Sequence, residues 1–264
     1  MNFSRNIPAV YVASQLRQPT FYQFLSLSGI ANLASENHYG LSLVLGGGEI
    51  TAQELAKLYA LLANRGALRP LRMQKSDAYP PPIRLISEEA SFTTLDMLRQ
   101  HRRPGDTLAQ RSSSLPVYWK TGTSWGFRDA WSVGIFGPYV LVVWEGNFDS
   151  RGNNVFVGAD AAAPLFFNII DSINASYPAL QEPKHPFPKQ LKRVGYLPGQ
   201  RQPADAVVPA ERQNLVLSPA SRRSRSIPSI VRWCWILTAV RWPARRMIKH
   251  KPVPKCLSSA FRSG

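Results

Sequence analysis

The clearest helical spacing in the chain is Leu55, Leu58, Tyr59 and Leu62, at i, i+3, i+4 and i+7. Thr51 and Glu54 precede it, three apart, and can cap each other's backbone; Asn64 and Gly66 end it. A core-packing helix follows from that pattern. Weaker signals predict four more. SRNIPAVYVASQL reads as an amphipathic helix entered at Pro8, FYQFLSLSGIANL as one ending near Gly29, and Gly158 to Ile173 as a terminal helix with an apolar face. Ser87, with Glu88 and Glu89 behind it, caps a helix through LISEEASFTTLDMLRQ that fades at Arg102 and Pro104. Elsewhere β-formers dominate: Val117, Tyr118 and Trp119 lead into YWKTGTSWGFRDA, and GFRDAWSVGIF and YVLVVWEG follow. The turns between them predict a three-stranded antiparallel meander, so the fold class is α/β in the broad sense, α+β in detail.

Composition supports a globular chain, because 44% apolar residues in 264 can fill a core. A net charge of +16 first suggests nucleic acid, but its placement changes that picture. Thirteen of the 32 Lys and Arg, against two of the 16 Asp and Glu, lie in residues 201–264. The excess belongs to a tail. Three segments result: residues 1–180, a Pro/Lys-rich linker at 181–200, and a basic tail at 201–264 expected to be disordered. RSRSIPSIVRWCWILTAVRWPARRM could still be a basic aromatic patch for nucleic acid or an anionic membrane surface. Codon regrouping offers another origin for it. Shifted by one base, Trp235-Ile236 and Met247-Ile248 must each yield aspartate and Trp242-Pro243 alanine, which points to a one-base frameshift near Pro198.

Cys234 and Cys256 have no redox or metal spacing, and His38, His101, His185 and His250 are widely separated. Neither metal nor cofactor is expected. Gly46, Gly47 and Gly48 lack the following Lys-Ser/Thr of a phosphate loop and read as an irregular connection. The N-terminus shows no basic region followed by an apolar run, and no stretch reaches the length of a membrane span.

The chemistry concentrates at Lys120-Thr121-Gly122-Thr123-Ser124. At the end of a strand, a residue without a Cβ lets backbone N–H and C=O groups approach a ligand, here beside a cation and three hydroxyls. Such a row suits an acyl compound bearing a carboxylate, with a strand N–H facing a developing oxyanion. A plain hairpin turn with a lysine at its edge fits the same letters. Ser4 and Asn6, two apart before the first helix, read as a helix-capping serine with a polar neighbour.

With its three strands, KTGTS resembles the penicillin-binding transpeptidase and serine β-lactamase superfamily, and Ser4-Arg5-Asn6 resembles that superfamily's S-x-N element. HYGLSLVLGGGEITAQELAKLYALLANRG resembles the glycine loop and helix between these motifs in class A penicillin-binding proteins, here of the 1C type. The resemblance runs from about Phe3 to Val194. It implies an incomplete transpeptidase fold, residues 1–180 being the C-terminal part of the domain, and acyl transfer between peptidoglycan stem peptides on the periplasmic side of the inner membrane. It also implies roles. Ser4 would relay a proton and Asn6 hold the substrate amide. Lys120 would be the cation near the carboxylate, Thr121 and Thr123 its anchors beside Gly122 and Ser124, and the Thr123 N–H an oxyanion donor.

One departure is large: no serine of the 264 residues is followed three positions later by lysine. The S-x-x-K nucleophile pair is therefore missing, and a chain without it is expected to bind stem peptides or β-lactams without being acylated. An upstream fragment of the same protein is a candidate partner. A β-lactamase needs the same nucleophile and an activated water besides. The resemblance also implies two further strands before residue 1, which would leave YVLVVWE with an open apolar edge, an aggregation hazard. Expressed alone, with no export signal, the chain would stay in the cytoplasm.

Overall fold

A computed structural model of the chain describes residues 4–101, 103–104, 115–183, 187–195, 213–217 and 240–241. Its elements are the helices α1 (Asn6–Gln15), α2 (Phe21–Leu27), α3 (Glu36–Tyr39), α4 (Ala52–Ala63), α5 (Glu88–Arg99) and α6 (Ala162–Ser176). The longer strands are β3 (Val117–Thr123), β4 (Asp129–Phe136) and β5 (Tyr139–Gly146). A two-residue ribbon, β1 (Ala67–Leu68) with β2 (Ile83–Arg84), separates α4 from α5.

Local chemistry explains the best-defined helix ends. Thr51 Oγ1 accepts the Glu54 N–H while the Glu54 carboxylate accepts the Thr51 N–H at 2.7 Å, the reciprocal cap the sequence predicts. Thr20 and Gln23 form a second such box at α2, and Ser87 Oγ accepts the Ala90 N–H at α5. Each cap satisfies amides that a helix start leaves without intrahelical partners. On α4, Leu55, Ala56, Leu58, Tyr59 and Leu61 are buried. Leu62 is only partly covered, so the buried stripe is centred one position earlier at its C-terminal end.

The meander forms in the predicted order, β3–β4–β5, entirely antiparallel. Trp119 faces Gly134 and Leu141 in one cross-strand row, and Lys120 faces Val133 and Val142 in the next. Because successive side chains alternate, the two rows belong to opposite faces. Trp119, Phe136, Leu141 and Val143 pack with Ala162, Phe166, Phe167 and Ile170 of α6. On the other face Val133, Ile135, Val140 and Val142 join the cluster built on α2 and α4. The sheet is therefore covered on both sides, which accounts for buried runs where an exposed sheet would alternate.

Several expectations need correction. α1 begins at Asn6, two residues before Pro8, and its N-cap is Arg5 with no side-chain capping bond; Ser4, at φ 51°, is not the cap. Nor is α1 amphipathic: none of its residues is buried, and Ile7 and Tyr11 are 84% and 66% exposed. Ahead of the irregular connection at Gly46 to Gly48 the chain forms α3 and a 3-10 segment, Gly40–Leu45, which the sequence pattern did not predict. α6 starts at Ala162, four residues late, because Gly158 to Ala161 turn beneath β3 before the helix begins. Inside the expected linker, β6 (Leu191–Gly195) pairs with β7 (Gln213–Leu217) of the tail. β8 (Val240–Arg241) adds a short fourth strand to β5 at Tyr139 and Val140, so the edge expected to be wholly open is paired over two residues. The rest of the tail and its expected disorder, like residues 105–114, lie outside the described residues.

Candidate acyl-binding site

β3 is an edge strand, with β4 its sole sheet neighbour among the described residues. One side of its backbone can therefore pair with an extended ligand. Lys120, Thr121, Gly122 and Thr123 complete the strand and Ser124 follows it. The structure thus brings five of the seven sequence-chosen residues into one continuous row.

Lys120 is 2% exposed. A buried ammonium needs acceptors to offset lost hydration, and its Nζ donates to the Thr121 carbonyl at 2.9 Å and to Thr121 Oγ1 at 3.3 Å. Thr123 Oγ1 accepts the Gly158 N–H at 3.0 Å. In both threonines this bond uses an oxygen lone pair, which leaves the hydroxyl proton to donate to an anion. Ser124 instead shapes the turn. Its Oγ accepts the Asp129 N–H at 2.9 Å, and its own N–H donates to the Asp129 carbonyl at 3.1 Å. These bonds close the β3–β4 connection, which Asp129 Oδ1 secures further by accepting the Trp144 Nε1–H at 2.8 Å.

Three residues around the row carried no sequence signal for it. Gly158 lies so close beneath β3 that a Cβ there would stand 2.2 Å from the Gly122 carbonyl oxygen and 2.7 Å from that of Trp131. Only glycine permits that approach, and its N–H then fixes Thr123. His101, just past α5, packs with its ring 4.5 Å from that of Trp119 at a tilt of 51°, and its carbonyl accepts the Trp119 Nε1–H at 3.0 Å. Burial, and secondarily the Lys120 charge, lower the imidazole pKa, which favours its neutral form. Ser132 pairs with Thr121 across the strands and is wholly buried, its hydroxyl without a hydrogen-bond partner among the described residues. All three come from segments distant in sequence or from an apolar strand, so pattern alone could not select them.

Ser4 and Asn6 lie apart from the strand in sequence, before and at the first residue of α1, which packs on the 3-10 segment Gly40–Leu45. A cavity of about 410 Å³ opens between the α1 C-terminus, Thr20 to Tyr22, and Glu36 to Val44; it contains neither Ser4 nor Asn6. Among the described residues no three His, Cys, Asp or Glu side chains converge to hold a metal ion. No described helix is long and apolar enough to cross a membrane.

Comparison with known proteins gives concordant results. A family model described as "Penicillin binding protein transpeptidase domain" matches residues 1–135. Penicillin-binding protein 1C of Escherichia coli (strain K12) is 32% identical over 197 residues, covering 72% of this chain and 24% of that protein. Penicillin-binding protein 1B of Buchnera aphidicola subsp. Baizongia pistaciae is 25% identical over 194 residues, covering 68% and 25% respectively. The chain thus spans about a quarter of the length of these curated relatives. The crystal structure of penicillin-binding protein 1A from Haemophilus influenzae superposes with a TM-score of 0.63 over 86% of this chain and 40% of that one; at 18% identity this similarity speaks for the fold.

Proposed function

Because this chain belongs to the penicillin-binding protein transpeptidase family, we propose that it forms the part of an acyl-transfer site that receives the carboxylate end of a peptidoglycan stem peptide, or of the β-lactam that imitates it. The observation that carries this reading is the edge strand β3, which ends in a buried ammonium and two hydroxyls whose protons can turn to an anion. Lys120 supplies the charge, and Thr121 and Thr123 donate to the carboxylate. Gly122 keeps the strand backbone open to the substrate. The Thr123 N–H faces the carbonyl oxygen as it gains charge, where a fixed donor lowers the barrier most. Ser4 relays the proton to the leaving amine, and Asn6 holds the substrate amide.

The attacking hydroxyl comes from elsewhere, since no serine here has lysine three residues on. Alone, the chain binds and does not acylate; with a segment bearing the S-x-x-K pair, it completes a transpeptidase working on the periplasmic face of the inner membrane. The test uses the 264-residue chain with a fluorescent penicillin and a diacylated peptide ending in D-Ala-D-Ala. The expected result is no covalent label, together with reversible peptide binding weakened at least tenfold by Lys120→Ala, about 1.4 kcal/mol. Covalent labelling would overturn the absent nucleophile. Peptide binding indifferent to Lys120→Ala and Thr123→Ala would overturn the site.

A further inference from the structure

Two loops meet where β3 ends. One, Ser124 to Arg128, turns through the 3-10 segment Trp125–Phe127 into β4; the other, Asn147 to Val157, leaves β5. They are joined backbone to backbone: the Asn153 N–H donates to the Phe127 carbonyl at 2.9 Å. A Cβ on Gly152 would stand 2.1 Å from the Gly126 carbonyl oxygen. Held in this way, the loops display side chains that the core does not use. Trp125 is 85% exposed and Phe148 99%, with Phe127 and Val155 also outside. Phe148 rests 5.7 Å from the Trp144 ring, and the Arg128 guanidinium lies 5.7 Å over Trp125. Aromatic groups presented to water on fixed loops beside a candidate site mark a contact surface.

The direction of β3 identifies the occupant, given the reading of β3 proposed above. A peptide added antiparallel to a free strand edge, with its carboxyl end at Lys120 and Thr121, runs its amino end toward Ser124 and Trp125. Thr121 and Trp125 lie four positions apart: β3 ends at Thr123, and Trp125 opens the 3-10 segment just past that end. A stem peptide is joined to its glycan at the amino end, so the first sugar ring lies past the strand end, on the side of Trp125. Such a ring offers C–H groups on its face to an aromatic side chain and hydroxyls at its rim to a guanidinium. We propose that Trp125, Phe148 and Arg128 form a saccharide platform for the amino-sugar ring from which the stem peptide hangs.

The full chain is titrated, with tryptophan fluorescence and calorimetry as readouts, with three probes: the sugar-free D-Ala-D-Ala peptide, a disaccharide-bearing stem peptide of the same sequence, and a soluble tetramer of N-acetylglucosamine. The disaccharide peptide should bind about tenfold more tightly than the bare one, the scale of one or two aromatic contacts. Trp125→Ala and Phe148→Ala should erase that difference while leaving the bare peptide's affinity and the melting temperature unchanged. Equal affinity of the two peptides, or a difference that survives both substitutions, overturns the platform and spares the reading of β3. If the bare peptide does not bind, the reading of β3 fails by itself; the tetramer then upholds the platform if it binds and Trp125→Ala abolishes binding, and overturns it if it does not bind. A concentration-dependent dimer that Trp125→Ala converts to monomer would assign the surface to a second copy of the chain and also overturn the proposal.

Discussion

The strand and the helix that share the proposed chemistry are held by different means. β3 is clamped from one face by α6 through Trp119, Phe166 and Phe167, whose rings stand 4.7 to 6.0 Å apart, and from the other through Tyr118, packed against the cluster on α2 and α4. α1, which presents Asn6, buries none of its own residues. The row from Lys120 to Thr123 therefore owes its geometry to burial, and Asn6 owes its position to a helix resting on its neighbours. In a site assembled from such parts, the half proposed to bind a carboxylate is set before a ligand arrives, and the half proposed to bind an amide is the half that ordering can still change.

The largest effect that would test this contrast is Trp119→Ala, which removes the centre of the α6-facing cluster and should cost about 3–5 kcal/mol in denaturant unfolding of the full chain. A loss under about 1 kcal/mol, on the order of a surface change, would mean that β3 is not held by that face. Gly158→Ala comes next, at about 1–3 kcal/mol, because its methyl meets a carbonyl oxygen and not a flexible side chain. The same substitution should reduce D-Ala-D-Ala peptide binding, since it displaces the N–H that fixes Thr123. His101 gives a pH signature. Its folded pKa lies below the ordinary value, so it contributes stability above about pH 6.5 that is lost as pH falls through the folded value. Urea melts at about pH 5.5 and about pH 7.5 should show this slope in the native chain and a shallower one in His101→Asn. Smallest is Ile7→Ala on α1, within about 0.5 kcal/mol; a loss above about 1 kcal/mol would break the comparison by showing α1 to be anchored after all.

What could be read beforehand was local. Thr51 with Glu54, and Ser87 before two glutamates, state their caps within three residues, and both caps are present. The meander followed from β-formers separated by turns, and KTGTS sits at the strand end where Gly122 made it expected. The serine at position 4 misled the ordinary reading, because its letter fits a cap and the chain instead turns there with a positive φ and starts the helix at Asn6. Gly158 under Gly122, Ser132 opposite Thr121 and His101 beside Trp119 arise from long-range packing, which no window of neighbouring residues encodes. The two-residue pairing of Val240–Arg241 with β5 joins residues about a hundred positions apart and has no pattern of its own.

That short pairing leaves the outer margin of β5 from Leu141 to Gly146, the side away from β4, without a strand neighbour among the described residues, at the side of the sheet opposite to β3. The two free margins differ in symmetry. If β5 meets β5 of another copy in antiparallel fashion, a twofold axis relates the copies and growth stops at a dimer. If β5 meets the β3 margin of another copy, the contact is head to tail, each addition exposes a new margin, and the product is a filament whose every joint covers the β3 edge of one copy.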